Sequence, residues 1–248
     1  MNDFIAEADR TILANHGLAS FDALWALKLQ AVDEPNFERG GWSSVYRLDL
    51  DERAYFLKRQ SNHLTHSLRH PLGEPTFARE FRNIQRYQRL GIATLQASFF
   101  GARKLAGEQR AILLTQALDG WEDFGDCLAR WAQLSAATRL AILRAVGELA
   151  RTLHRAGQVH GCFYPKHIFL REEQGRWQAC LIDLEKTRPL LLGQRDRIKD
   201  LEPLLRRAQC IGEEGVHALL VAYLDDERAV DTWLRRLHVR RLDKEARA

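Results

Sequence analysis

An α+β fold in two lobes is what this 248-residue sequence predicts: a small antiparallel sheet with one helix, then a mostly helical C-terminal lobe. Three observations predict it. From Phe37 to Thr115 short apolar runs read as strands, interrupted by one helical stripe. Gln116-Ala117-Leu118-Asp119-Gly120 then breaks the pattern as a hinge. Beyond it the period is helical, and one long stripe delivers a polar loop and a hairpin closing on Asp183. The expected divisions are an N-terminal helical extension at 1–34, an N-lobe at 35–116 and a helical C-lobe at 117–248.

Composition bounds the class. Hydrophobic residues at 46% and charged residues at 28% suit a globular domain and are too apolar for disorder. The net charge of +4 favours anionic partners, an acidic protein among them. No zinc-finger spacing, RNP signature or helix-turn-helix points to nucleic acid, and none is expected as a partner. Cys127, Cys162, Cys180 and Cys210 form no CxxC pair and read as reduced thiols of a cytosolic protein. Met1-Asn2-Asp3-Phe4-Ile5 lacks the basic start of a secretory signal, and no apolar run is long enough to span a bilayer. A soluble cytoplasmic protein is expected, with any membrane contact peripheral.

Taken in order, residues 1–34 read as two short helices: Phe4, Ile5, Ala8, Ile12 and Leu13 keep helical spacing, and Ser20 looks like the cap of the second. Phe37 to Leu48 reads as a strand, a glycine turn and a returning strand; Gly40, Gly41, Ser43 and Ser44 at such a turn present N–H groups to phosphates, or form only a turn. Ala54 to Lys58 is an apolar strand ending in a lysine. Residues 61–75, with His63, His66, Arg69 and His70, read as a loop that either binds phosphate or metal or is a solvated linker. Thr76 caps a helix bearing Phe77, Phe81, Ile84, Tyr87 and Leu90, with Gly91 as terminator. Glu80 falls on or beside that buried face and needs a cation, for which Lys58 is the candidate. Leu95–Phe100 and Ala111–Thr115 complete the sheet; Ile142, Val146, Leu149 and Leu153 stripe the long helix ending at Gly157; helices are expected near 194–209, 213–224 and 226–239.

Glycine turn, strand lysine, helix glutamate, hinge, histidine loop and closing aspartate come in the order that phosphoryl transfer needs to clamp a polyanion, hold a metal and orient a hydroxyl. Over about residues 37–210 the chain resembles the lipopolysaccharide kinase family of Gram-negative bacteria, the WaaP/InaA group, compact relatives of the protein-kinase fold. His70-Pro71-Leu72-Gly73-Glu74-Pro75-Thr76-Phe77-Ala78-Arg79-Glu80-Phe81-Arg82-Asn83 carries the resemblance most specifically, supported by His160 to Leu170 and Ile182 to Lys186. The resemblance implies a two-lobed protein-kinase-like fold and an enzyme associated with the inner membrane that uses ATP and Mg²⁺ to phosphorylate a core sugar, typically a heptose. It implies that Lys58 contacts the phosphates, Glu80 orients it, and Asp183 and His167 hold the metal. Gln116 joins the nucleotide-binding set.

The departure is Cys162, where the family's active sugar kinases carry the aspartate that accepts the hydroxyl proton. A thiol, with its pKa near ~8.5, is a poor mimic of that carboxylate, and losing a positioned base costs on the order of 10²–10⁴ in rate. Two readings follow, a sugar kinase and a pseudokinase with a regulatory or scaffold role in envelope biogenesis. The His-Gly-Asp loop of aminoglycoside phosphotransferases is partly echoed as well. His160 reads as structural, and Lys186 and Arg188 either meet an anionic acceptor, a lipopolysaccharide core or another acidic sugar, or are simply exposed. Arg235, Arg236, Arg240, Arg241, Lys244 and Arg247, beside Trp233, Leu234 and Leu237, make the tail either a basic helix on an anionic membrane or a solvated one.

Overall fold

The computed structural model describes residues 3–38, 40–67 and 70–245. Arg39 of the glycine turn, Arg69 of the histidine-rich segment and Arg247 of the tail lie outside the described residues. The elements run β1 (Phe4–Ile5), α1 (Glu7–Asn15), α2 (Phe21–Ala26), β2 (Trp42–Leu50), β3 (Arg53–Ser61), β4 (Leu64–Ser67), β5 (His70–Pro75), α3 (Thr76–Arg89), β6 (Ala97–Leu105), β7 (Glu108–Gln116), β8 (Glu122–Asp123), α4 (Phe124–Ala129), α5 (Ala136–Arg155), β9 (Gln158–Val159), β10 (Ile168–Glu173), β11 (Arg176–Leu181), β12 (Arg188–Pro189), α6 (Gln194–Arg207), α7 (Gly212–Leu224) and α8 (Val230–Glu245). Contacts divide them into two compact units: Met1–Arg86 with Leu95–Asp119, and Tyr87–Thr94 with Gly120–Ala248.

The first unit is built on an antiparallel sheet of order β1-β6-β7-β3-β2. Leu48, Leu50, Tyr55, Leu57, Phe99, Ile112 and Leu114 share a core cluster with Leu13, Leu18, Phe21 and Leu24 of the N-terminal helices. Ser20 caps α2, its hydroxyl accepting from the Ala23 N–H at 3.3 Å. Phe4 and Ile5 are not helical as expected. They pair with Phe100 and Phe99 as an edge strand, and Phe4 packs its ring 4.9 Å from Phe81, so aromatic packing overrides their helical spacing.

Three further expectations give way here. The strand expected before the glycine turn is reduced to single bridges, Asn36 to Ser43 and Ala31 to Tyr46. Strand β3 runs on past Lys58 to Ser61, which places the lysine inside a strand rather than at its end. The histidine-rich segment is a hairpin, β4 with β5, not a loop: its polar side chains are consumed locally, His63 with Thr76 at 3.0 Å and Glu74 with both Arg82 and His70.

In the second unit, Ser135 caps α5 through the Thr138 N–H at 3.1 Å. The predicted stripe Ile142, Val146, Leu149 and Leu153 is buried. Gly147 lets α7 approach: a methyl group there would lie 2.6 Å from the Leu219 carbonyl. Strands β10 and β11 form the expected hairpin, with β8 beside β10. Helix α8 separates the tail's apolar residues from its basic ones. Trp233 and Leu237 are buried, the former edge-on to Tyr223 at 5.2 Å, so they are the helix's packing face and not one offered to a membrane. Among the described residues no helix is long and apolar enough to cross a membrane.

Candidate active site

Strand alternation positions the first group. With Tyr55 and Leu57 committed to the core cluster, Lys58 projects from the opposite face of β3. Its ammonium donates to Glu80 Oε1 of α3 at 2.6 Å, and both side chains are largely buried, at 17% and 4% exposure. Gln60, two residues along the same face, accepts from the Phe77 N–H at 2.8 Å and so holds the first turn of α3. One strand thus presents the lysine and anchors the helix that carries its partner.

The glycine turn does not add a phosphate cradle. The N–H groups of Gly41 and Ser43 donate to the carbonyls of Glu38 (3.4 Å) and Asn36 (2.8 Å), Gly41 is pressed against the Ser61–His63 backbone, and Ser44 is buried. Gly40, at φ 77°, remains in open space at the tip. The Gln116 amide is likewise spent, donating to Asp9 at 3.1 and 3.3 Å. Asp9 also takes the Tyr55 hydroxyl and the Arg53 guanidinium; burial opposes its charge, and the nearby Ser98 hydroxyl together with hydrogen bonds from Gln116, Tyr55 and Arg53 outweighs that and holds its pKa below the ordinary value.

In the second unit the loop from His160 is held by a buried carboxylate. Asp200 of α6 accepts from the backbone N–H groups of His160 and Gly161, both at 2.8 Å, and lies 3.2 Å from His154 Nε2. Burial raises its pKa, but the His154 side chain and the His160 amide more than offset this, and Asp200 titrates below the ordinary value. His160 is hydrogen-bonded on both sides of its ring. Its Nδ1 accepts from the Cys162 N–H at 3.3 Å, so Nε2 carries the proton and donates to the Ile182 carbonyl at 2.9 Å. That bond ties the loop to the turn that carries Asp183. Gly161, at φ 81°, sits so close to this turn that a Cβ would lie 2.6 Å from the Lys186 carbonyl.

Asp183 adopts the left-handed conformation, φ 57° and ψ 63°, at the end of the hairpin. Asp tolerates that region better than most residues, at a cost on the order of 1 kcal/mol. His167 Nδ1 lies 2.9 Å from the Cys162 carbonyl, which can only accept, so the proton is on Nδ1. Burial holds the imidazole below its ordinary pKa despite the pull of Asp183. The neutral ring therefore points a lone pair at Asp183 Oδ2, 3.3 Å away. Two acceptors facing each other suit a shared cation, and the donor set fits a divalent metal. Among the described residues no cluster of three or more His, Cys, Asp or Glu forms a complete cage. Two protein ligands suit Mg²⁺, which keeps waters and phosphate oxygens for its other positions.

Cys162 is 6% exposed at the apex of the loop. Its sulfur is the foremost influence on Lys186, holding that ammonium above its ordinary pKa against the cost of burial. Lys186 therefore belongs beside the apex. Arg188 does not join it as an acceptor contact: its guanidinium grips Asp196 at 2.7 and 2.9 Å. Sequence reasoning missed Asp200, although the signal was there. Asp200 adjoins Leu201 and shares a helical face with Leu204, both buried, and a carboxylate among them demands donors, as Glu80 did.

Residues 22–223 match the family model described as "Lipopolysaccharide kinase (Kdo/WaaP) family". The chain is 36% identical over 179 residues to Protein InaA of Escherichia coli (strain K12), an alignment covering 71% of this chain and 82% of that protein. It also superposes on a solved structure of WaaP in complex with acyl carrier protein, with a TM-score of 0.68 at 24% identity, over 95% of this chain and 97% of the other. The likeness to WaaP is one of fold.

Proposed function

The chain belongs to the lipopolysaccharide kinase (Kdo/WaaP) family, and from that premise we propose that it transfers the γ-phosphoryl group of ATP to a sugar hydroxyl of the lipopolysaccharide core, a heptose being the acceptor. The observation that carries this reading is the Lys58–Glu80 pair at 2.6 Å. A buried ion pair seldom adds stability over an apolar substitute, whereas a lysine held by a carboxylate is how a kinase clamps nucleotide phosphates.

In this mechanism Lys58 binds the phosphates and Glu80 fixes its position. Asp183 and His167 would hold Mg²⁺, which would supply charge neutralisation for the phosphate oxygens. The acceptor oxygen bonds to the γ-phosphorus as the bridge to the leaving ADP breaks, and the hydroxyl proton is released. A thiol at 162 is a poor substitute for the carboxylate that would take that proton early. Because the transition state is loose, positioning and charge do most of the work, and Lys186 supplies a cation beside the apex. Calorimetric titration with ATP, with and without Mg²⁺, tests the reading. Mg²⁺-dependent binding that disappears in Asp183→Asn is expected; no binding by the wild-type chain sinks it.

Cys162 favours a second reading, a pseudokinase that regulates or scaffolds envelope biogenesis. Cys162→Asp separates the two. On the kinase reading, transfer to core heptose rises on the order of 10²–10⁴-fold in a radiolabel assay. No gain from the restored carboxylate leaves the scaffold reading standing. A protein partner is part of either reading: the superposable WaaP is in complex with acyl carrier protein, and a net charge of +4 suits an acidic one. A membrane-borne acceptor also calls for cytoplasmic protein resting on the inner face of the inner membrane.

A further inference from the structure

Away from the catalytic loop, α6 and α8 pack together and leave a groove of about 840 Å³. Besides Arg188, which is paired with Asp196, five basic side chains line it, Arg195 and Lys199 from α6 and Arg235, Arg236 and Arg240 from α8. The spacing works against the helices. Arg195 with Lys199, and Arg236 with Arg240, stand four residues apart, where like charges repel. A merely solvated helix face alternates sign to avoid this.

Nothing in the groove relieves the repulsion. Its carboxylate, Asp196, is taken by Arg188 and by the backbone N–H groups of Leu191 and Leu192. Among the described residues Arg195, Lys199, Arg236 and Arg240 have no ion-pair partner, and Arg235 reaches only the Thr232 hydroxyl, at 3.5 Å. The Arg240 Nε is buried without an acceptor. The rim is apolar and uncovered: Leu192 is 59% exposed and Val239 58%, and neighbouring Leu191 is 76% exposed.

We propose that this groove docks the protein on an anionic lipid surface. Phosphate headgroups pair with the five cations, and Leu191, Leu192 and Val239 enter the interface. The combination favours lipid: cations alone suit any polyanion, but adjacent leucines at a loop tip beside them match a surface that is charged outside and apolar just beneath. The phosphotransfer residues take no part.

Co-sedimentation with vesicles tests it, comparing phosphatidylglycerol mixed into phosphatidylcholine with phosphatidylcholine alone. Wild-type protein is expected to partition onto the anionic vesicles only, and less at high salt. One basic residue near such a surface is worth roughly fivefold in partitioning, so Arg195→Glu with Arg236→Glu loses about 25-fold or more. Leu191→Ser with Leu192→Ser loses several-fold. Asp183→Asn partitions like wild type, which keeps a failure here distinct from a failure of the kinase reading. Circular-dichroism melts establish that the variants fold, and the neutral pair Arg195→Gln with Arg236→Gln replaces the reversal if it does not. Equal partitioning of wild type and both double variants overturns the proposal. So does competition by millimolar inorganic phosphate that abolishes vesicle binding, or binding to an acidic protein with none to vesicles.

Discussion

Each unit of the chain holds a lysine next to a group that defines its use, and the two neighbours differ. Lys58 in the first unit faces a carboxylate, Glu80, at 2.6 Å. Lys186 in the second has the Cys162 sulfur as its foremost influence. The first arrangement is a closed ion pair, the part of the proposed mechanism that grips phosphates. The second keeps every hydrogen bond that shapes the loop, from Asp200 to the amides of His160 and Gly161 and from His160 to Ile182, while its apex carries a thiol. Frame and apex are therefore specified by different residues. None of these hydrogen bonds uses the Cys162 side chain, so the frame is held without it.

The sharpest way to break this contrast is at the frame. Asp200→Ala strands the buried His160 amide, the Gly161 amide and His154, and about 3–5 kcal/mol of stability should be lost in urea unfolding. Cys162→Ser, at the apex, should cost no more than about 1 kcal/mol in the same assay. Equal losses would show that the apex shapes the loop after all. Next in size, Lys58→Met leaves Glu80 buried without its ammonium. It should cost roughly 3 kcal/mol in thermal unfolding and abolish ATP binding in the same titration. The smallest effect concerns acid. Arg188, then the Leu192 and Leu191 amides, hold the Asp196 carboxyl well below the usual carboxylate range. A carboxyl depressed in the folded state is protonated first in the unfolded one, so its contribution is whole above about pH 4 and drains away as pH falls. Asp196→Asn should flatten that acid limb by roughly 2 kcal/mol in a pH series of melts.

Much of this was legible in the residues. The Lys58–Glu80 pair followed from a carboxylate on the buried face of an amphipathic helix, and the long α5 from its apolar stripe and its glycine stop. Other parts turned on tertiary partners that periodicity does not reveal. Phe4 and Ile5 carry helical spacing, yet Phe99 and Phe100 draw them into the sheet. Gly40, Gly41, Ser43 and Ser44 look like a phosphate loop until Glu38 and Asn36 are seen to consume the Gly41 and Ser43 amides. Arg188 looks free until Asp196, eight residues on, turns back to it. Trp233 and Leu237 have the composition of a membrane face, but Tyr223 already covers the tryptophan.

Gly161 has one more consequence. Its missing side chain is a spacer of zero thickness between the apex of the loop and the turn that bears Asp183, with the Lys186 carbonyl set against the bare α-carbon. The distance from residue 162 to the Asp183 carboxylate is thereby gauged by backbone touching backbone, at a point where no rotamer can give way. A thiol in place of a carboxylate alters what the apex can do, but the ruler that sets its reach is cut into the main chain.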